Sequence, residues 1–118
     1  MKKFLLLMVA VLGIVSLGLA QAKKGVQTVT FKTPTVQCEM CKERIEKYLL
    51  REEGVQKVNV DFRKKVTKVT FITDRNNAEN IKTAIANIGY DADDVKAEAD
   101  AYKKLPKCCK KPEDGGGM

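Results

Sequence analysis

The chain has 118 residues and a formal net charge of +7, with four cysteines, no histidine and no tryptophan. The missing histidine removes the commonest nitrogen ligand for metals and the commonest catalytic base, so sulfur has to carry the chemistry of any reactive site. Lysine pairs are scattered without interleaved aromatic residues, a pattern that argues against nucleic-acid binding. We therefore expect neither a nucleic-acid-binding protein nor an enzyme.

Residues 1–22 have the pattern of a secretory signal peptide. Lys2-Lys3 forms a short basic region, and residues 4–19 form an apolar run. Ala20-Gln21-Ala22 then provides small residues at the two positions that a signal peptidase recognises. The alternative is a retained membrane anchor, because the apolar run approaches spanning length. The sequence favours cleavage, and hence an exported, periplasmic protein that meets a membrane only through a partner.

A predicted strand and a predicted helix flank the first two cysteines. Residues 26–33 alternate in hydropathy, and Pro34 ends this strand because proline cannot donate to a sheet ladder. From residue 39 to about residue 51 the apolar positions recur with helical spacing, which predicts an amphipathic helix. Cys38 and Cys41 therefore stand at the start of a helix.

The motif Cys38-Glu39-Met40-Cys41 is the most informative feature for chemistry. A helix N-terminus favours the ionised form of two nearby thiols, and paired thiolates bind soft ions. Two-sulfur coordination suits Cu(I) and Hg(II), whereas Zn(II) prefers four ligands, so we expect Cu(I) ahead of Hg(II) or Zn(II).

Met40 is expected to form a contact surface or to pack in the core. Lys42 is expected either to offset the thiolate charge or simply to lie on the solvated face of the helix.

Residues 58–99 predict three further strands and one further helix. They are strands at 58–62 and 69–71 around a polar turn at 63–65, a helix capped by Asn76 or Asn77 and ended by Gly89, and a weaker strand at 91–99. The order strand, helix, strand, strand, helix, strand predicts an α+β fold. Its natural packing is a ferredoxin-like βαββαβ sandwich, with a four-stranded antiparallel sheet and both helices on one face.

Residues 100–118 are expected to form a flexible, lysine-rich tail that carries Cys108 and Cys109, a candidate second thiol site. Adjacent cysteines form a mutual disulfide only with strained geometry. Because the predicted last strand runs away from the first cysteine pair, the tail is expected to leave the domain about 20 Å from it. This favours an independent thiol pair or an intermolecular contact over closure onto Cys38 and Cys41.

Within residues 23–99, the cysteine motif, the Gly54-Val55 turn and the Ile88-Gly89-Tyr90-Asp91 segment resemble the heavy-metal-associated domain family. The resemblance implies that Cys38 and Cys41 are the metal-binding thiolates. It also implies that Tyr90 shields the metal and that Val36 replaces a buried methionine as an apolar plug. The implied partner is a metal donor or acceptor such as a P-type ATPase or transporter, and the apo protein is expected to be a monomer.

Two other functions fit the same cysteines. A thiol–disulfide oxidoreductase module would use the Cys38–Cys41 pair, but the intervening dipeptide lacks a proline and the chain lacks tryptophan. A structural module would use all four cysteines as disulfide staples, as is common in exported domains.

Overall fold

A computed structural model describes residues 25–116 of the chain, so the predicted signal peptide lies outside the described residues. Among residues 25–116, no helix has the length and apolar character needed to cross a membrane. The regular elements, numbered in chain order, are β1 (Val26–Lys32), α1 (Glu39–Leu49), β2 (Val55–Asp61), β3 (Val66–Ile72), α2 (Ala78–Asn87) and α3 (Ala99–Lys103). Two 3-10 helices, Lys107–Cys109 and Pro112–Asp114, follow.

The three strands form one antiparallel sheet in the order β1-β3-β2. β3 pairs with β1 from Val26 opposite Ile72 to Lys32 opposite Val66, and it forms a hairpin with β2. One face of this sheet is buried under the apolar stripes of α1 and α2, and the other is largely exposed. The fully buried side chains of this core include Phe31, Ile45, Leu49, Val69, Phe71, Ile81 and Ile85.

The helix boundaries follow from local chemistry. Asn77 has extended backbone and its side chain accepts a hydrogen bond from the Asn80 N–H, which caps the start of α2. Gly89 ends that helix with φ at +105°, a conformation that glycine adopts without the Cβ clash other residues meet. The predicted hairpin and both predicted amphipathic helices are therefore confirmed.

The predicted fourth strand at 91–99 is wrong: among the described residues the sheet has three strands. The chain makes only a brief approach to the free edge of β1, where the Asp93 N–H donates to the Lys32 carbonyl. It then reverses, because Ala92 and Val95 exchange backbone hydrogen bonds around Asp93, which has φ at +51°. The Asp91 carboxylate accepts from the Ala97 N–H and holds this reversal in place.

The reversal directs the following segment back across the domain. The Glu98 N–H donates to the Ala86 carbonyl near the end of α2, and the Glu98 side chain caps α3. A Cβ built on Gly89 would lie 3.1 Å from both the Ala101 carbonyl oxygen and the Leu105 side chain, so α3 packs directly over this glycine. Leu105 and Cys109 are buried in the hydrophobic core, so residues 99–109 pack against the domain.

Candidate metal centre

The first two cysteines lie where β1 gives way to α1. Cys38 is the N-cap residue of α1, with extended backbone and a half-buried side chain. Cys41 lies in the first turn of the helix and is fully buried. Their Sγ atoms are 3.4 Å apart, so the structure brings together the two residues that the sequence predicted as a pair.

The loop before Cys38 is fixed by contacts on both sides. Val36 is fully buried in the core, and its carbonyl accepts a hydrogen bond from the Lys65 ammonium. The Thr35 hydroxyl accepts from the Asp91 N–H at 3.1 Å. The cysteine loop is thereby tied to the segment that follows α2.

The second cysteine pair reaches the same place. Cys108 Sγ lies 3.1 Å from Cys38 Sγ, and Cys109 Sγ lies 3.9 Å from it. The sulfurs of Cys108 and Cys109 are 4.0 Å apart. All four residues are free thiols, and these separations are well beyond the roughly 2.05 Å of a disulfide bond.

A remote tail requires the fourth strand, because that strand would carry the chain away from the cysteine loop. Because residues 92–95 reverse the chain instead, the 3-10 helix Lys107–Cys109 packs beside the start of α1. Sequence reasoning missed Leu105, the side chain that anchors this segment in the core. The available signal was a single apolar residue in a basic stretch, placed just before Pro106.

Cys38, Cys108 and Cys109 differ in their ease of ionisation. Burial opposes ionisation of Cys38, but the Cys108 thiol together with the backbone and side chain of Cys41 outweighs it and lowers the pKa of Cys38 to about 7. The hydrogen bond with Cys38, and then burial, raise the pKa of Cys108. Burial, and next the neighbouring Cys41, raise the pKa of Cys109. Of these three thiols, Cys38 is therefore the one favoured as a thiolate.

Tyr90 closes the inner side of the cluster. Its side chain is fully buried, and its hydroxyl has no hydrogen-bond partner among the described residues. Burial, followed by the nearby Cys109 and Cys41, raises the pKa of Tyr90, so this hydroxyl keeps its proton. The structure thus places Tyr90 beside Cys109 and Cys41; the shielding role that the family resemblance implies for it stays a prediction.

Lys42 and Met40 face different surroundings. The Lys42 ammonium is 2.8 Å from the Glu46 carboxylate on the same helix and donates to the Val60 carbonyl on β2 at 3.1 Å. Its described bonds therefore go to α1 and β2 rather than to the sulfurs. Met40 is 48% exposed, and its Sδ accepts from the Cys108 thiol at 3.8 Å. Met40 is therefore a surface residue that contacts the tail.

Together, the fold and the cluster define a small α+β domain that presents several thiols at one strand-to-helix junction. The family model described as "Heavy-metal-associated domain" matches residues 24–91, and the chain belongs to this family. The matched segment includes Cys38 and Cys41 and ends before Cys108 and Cys109.

Individual proteins show the same relationship. The chain is 38% identical over 79 residues to the mercuric transport protein periplasmic component of Shigella flexneri, across 64% of this chain and 87% of the relative. It is 34% identical over 68 residues to a copper-exporting P-type ATPase of Staphylococcus aureus (strain Newman), across 58% of this chain and 8% of the ATPase. The crystal structure of oxidized MerP from Ralstonia metallidurans CH34 is similar with a TM-score of 0.54 and 33% identity, across 57% of this chain and 93% of that protein.

Proposed function

We propose that this protein is an exported carrier that binds a soft metal ion through Cys38 and Cys41 and passes it to a thiol-bearing partner. The observation that carries the proposal is the 3.4 Å separation of two sulfurs at the N-terminus of α1, one of them with its pKa lowered to about 7. Thiolates held in this way are strong ligands for soft ions at neutral pH.

The choice of ion rests on coordination chemistry and on relatives. Cu(I) is our first expectation because two-sulfur coordination suits it, and the similar staphylococcal ATPase is named for copper export. Hg(II) accepts the same coordination, and the similar Shigella flexneri protein is named for mercuric transport. A competition experiment in which one equivalent of each ion is offered to the reduced protein would establish the preference.

Transfer is proposed to proceed by ligand exchange. Cys38 is half-buried, so a partner thiolate can approach an ion held there, form a new metal–sulfur bond and then displace the carrier's two sulfurs. The carrier thiols take up protons as the ion leaves. A P-type ATPase or another transporter with its own cysteine pair is the class of partner that this exchange requires.

Export of the protein is supported by the pattern of residues 1–22 and by the relative named as periplasmic.

The test is a Cu(I) titration of the reduced protein under anaerobic conditions against a chromogenic Cu(I) chelator. We expect one tightly held Cu(I) per chain, and a loss of tight binding in C38S/C41S. Circular dichroism of this variant establishes that it folds. Full retention of Cu(I) by the folded double variant would refute the proposal.

A thiol–disulfide oxidoreductase is the second candidate, and the lowered pKa of Cys38 beside three other thiols favours it. Such an enzyme would reduce a protein disulfide through a mixed disulfide at Cys38, whose pKa is lowered to about 7. Insulin reduction at catalytic rates, lost in C38S, would place this activity ahead of metal transfer. Rates no higher than those of free dithiols would leave metal transfer as the leading function.

A further inference from the structure

The tail contributes sulfurs to a site that the matched family segment supplies only in part. Cys108 and Cys109 lie outside residues 24–91, yet both have Sγ atoms within 4 Å of Cys38 Sγ. We propose that Cys38, Cys41, Cys108 and Cys109 form one closed four-sulfur site for a thiophilic divalent cation such as Zn(II) or Cd(II). The inference rests on the proposed function, because it builds on the same Cys38–Cys41 pair.

The spacing of the sulfurs supports this coordination number. Four sulfurs placed tetrahedrally around Zn(II) at about 2.3 Å lie about 3.8 Å from one another. The separations from Cys38 are 3.4 Å to Cys41, 3.1 Å to Cys108 and 3.9 Å to Cys109, and the Cys108–Cys109 separation is 4.0 Å. Two sulfurs on opposite sides of an ion at the same bond length would be about 4.6 Å apart. The sulfurs of Cys38, Cys108 and Cys109 all lie within 4.8 Å of one another, so these three are already spaced for coordination of one ion. Cys41, whose Sγ lies 3.4 Å from that of Cys38, is the fourth ligand that the bound ion would draw in.

The tail is held at the site by contacts that do not involve the cysteines. Leu105 is 5% exposed and belongs to the hydrophobic core. The Tyr102 hydroxyl donates to the Asp114 carboxylate and accepts from the Lys111 N–H at 2.9 Å, which fastens the segment after the cysteines back onto α3. The fold itself therefore positions Cys108 and Cys109.

Charge complementarity points the same way. Four thiolates around a divalent cation carry a net charge of −2, which needs nearby positive charge in a partly buried site. Lys107 and Lys110 flank the vicinal cysteines directly, and Lys111 follows them. The basic character of the tail therefore suits a thiolate-rich centre.

Two modes of binding follow from the one cluster. A Cu(I) ion held by Cys38 and Cys41 leaves the vicinal pair free, whereas a divalent cation with four sulfur ligands engages all four thiolates. In the second mode, a partner must displace Cys108 and Cys109 before it gains access to the ion. The tail would thereby allow transfer of Cu(I) while retaining a divalent cation that all four thiolates bind.

The test measures the number of sulfur ligands around Zn(II) and Cd(II) by X-ray absorption of the reduced, monomeric protein. We expect four sulfurs in the wild-type chain and about two, with oxygen ligands added, in C108A/C109A. Zn(II) affinity of this variant should fall about 100-fold or more, because losing even an outer-shell partner of a metal ligand reduces affinity 10- to 100-fold. C108A/C109A should still bind one Cu(I) per chain through Cys38 and Cys41, with a lower affinity at neutral pH because the Cys108 contact with Cys38 is lost.

The outcomes separate the two proposals. Two sulfur ligands in the wild-type protein, with tight Cu(I) binding intact, would overturn the four-sulfur site alone. Four sulfurs found only in dimers, as judged by sedimentation, would also overturn it. Full metal retention by C38S/C41S would overturn the proposed function and the four-sulfur site together, because both need Cys38 and Cys41. Because Cys109 is buried, C108A alone provides a variant that preserves the packing of Cys109 and is expected to lose one sulfur ligand.

Discussion

Cys38 Sγ and Cys108 Sγ lie 3.1 Å apart, although 70 positions separate the two residues in the chain. Cys38 belongs to the segment shared with the family, whereas Cys108 belongs to the tail that follows it. The contact makes the ionisation of one thiol depend on the other, because the Cys108 thiol is the strongest influence that lowers the pKa of Cys38. Removing the tail thiol should therefore change the chemistry of the family pair.

Cys38 is expected to react with iodoacetamide as a thiolate with a midpoint near pH 7, compared with 9.0 for an ordinary cysteine. In C108A the midpoint should rise, because the hydrogen bond that stabilises the thiolate is lost. Peptide mapping by mass spectrometry after brief labelling at a series of pH values measures each cysteine separately. A Cys38 midpoint that stays near 9 in the wild-type protein would contradict the expectation.

The same shift links folding to pH. The pKa of Cys38 is lower in the folded chain than in the unfolded chain, so the thiolate contributes stability that is fully present above about pH 9. This contribution is lost as the pH falls through about 7. Urea unfolding of the metal-free protein at pH 9 and pH 6 should show it, and C38A should reduce the difference between the two pH values.

Leu105 is expected to hold the tail on the domain. L105A removes a buried side chain that is 5% exposed, and the change should destabilise tail docking by about 2 kcal/mol. Labelling of the buried Cys109 by a thiol reagent should then become faster. The matched control is L50A, the same substitution at a residue that is 52% exposed, where a change below about 0.5 kcal/mol is expected. Equal labelling of Cys109 in both variants would show that Leu105 is not the anchor.

Much of the fold was accessible from periodicity. Each amphipathic helix and each alternating strand buries one face, so the spacing of apolar residues in the sequence predicts which side chains lie in the core. The segment 91–99 also shows alternation at Val95 and Ala97, yet it forms no strand. Polar hydrogen bonds decide its conformation, because Asp91 binds the Ala97 N–H and Asp93 occupies the left-handed region. Local side-chain bonds of this kind compete with a sheet ladder and leave no periodic signal.

The family pair of the site was visible in the sequence, and the tail contribution was not. Cys38 and Cys41 are brought together by local geometry at one helix start. Cys108 reaches them only because α3 packs over Gly89 and Leu105 enters the core. These are tertiary contacts between segments that are distant in sequence. A single leucine in a basic stretch shows no hydrophobic periodicity, so its burial cannot be inferred from the sequence.

Gly89 is expected to be essential for tail docking. In G89A the new Cβ would meet the Ala101 carbonyl and the Leu105 side chain at 3.1 Å, and alanine would be strained at φ +105°. Destabilisation of about 1–3 kcal/mol is expected, together with faster proteolysis of the tail. G25A is the control, because a Cβ there meets no heavy atom within 4 Å. A G89A protein with wild-type stability and protected tail would exclude this role for the glycine.

The Tyr90 hydroxyl is expected to destabilise the metal-free protein and to stabilise the metal-loaded one. It is buried without a partner, so Y90F should raise the free energy of unfolding of the metal-free chain by about 1 kcal/mol. When the neighbouring Cys41 and Cys109 become thiolates, the protonated hydroxyl gains acceptors, and Y90F should weaken metal binding about tenfold, which corresponds to about 1.4 kcal/mol.

Urea unfolding and a metal titration of Y90F measure these two opposite effects. Y48F is the matched control, because Tyr48 lies on the exposed side of α1 and its hydroxyl should affect neither quantity by more than about 0.5 kcal/mol. If Y90F lowered both stability and affinity, the hydroxyl would already be satisfied in the metal-free protein. If Y90F raised the free energy of unfolding and lowered the metal affinity, the result would show that the core positions the Tyr90 hydroxyl to donate to the thiolates of the metal-loaded site.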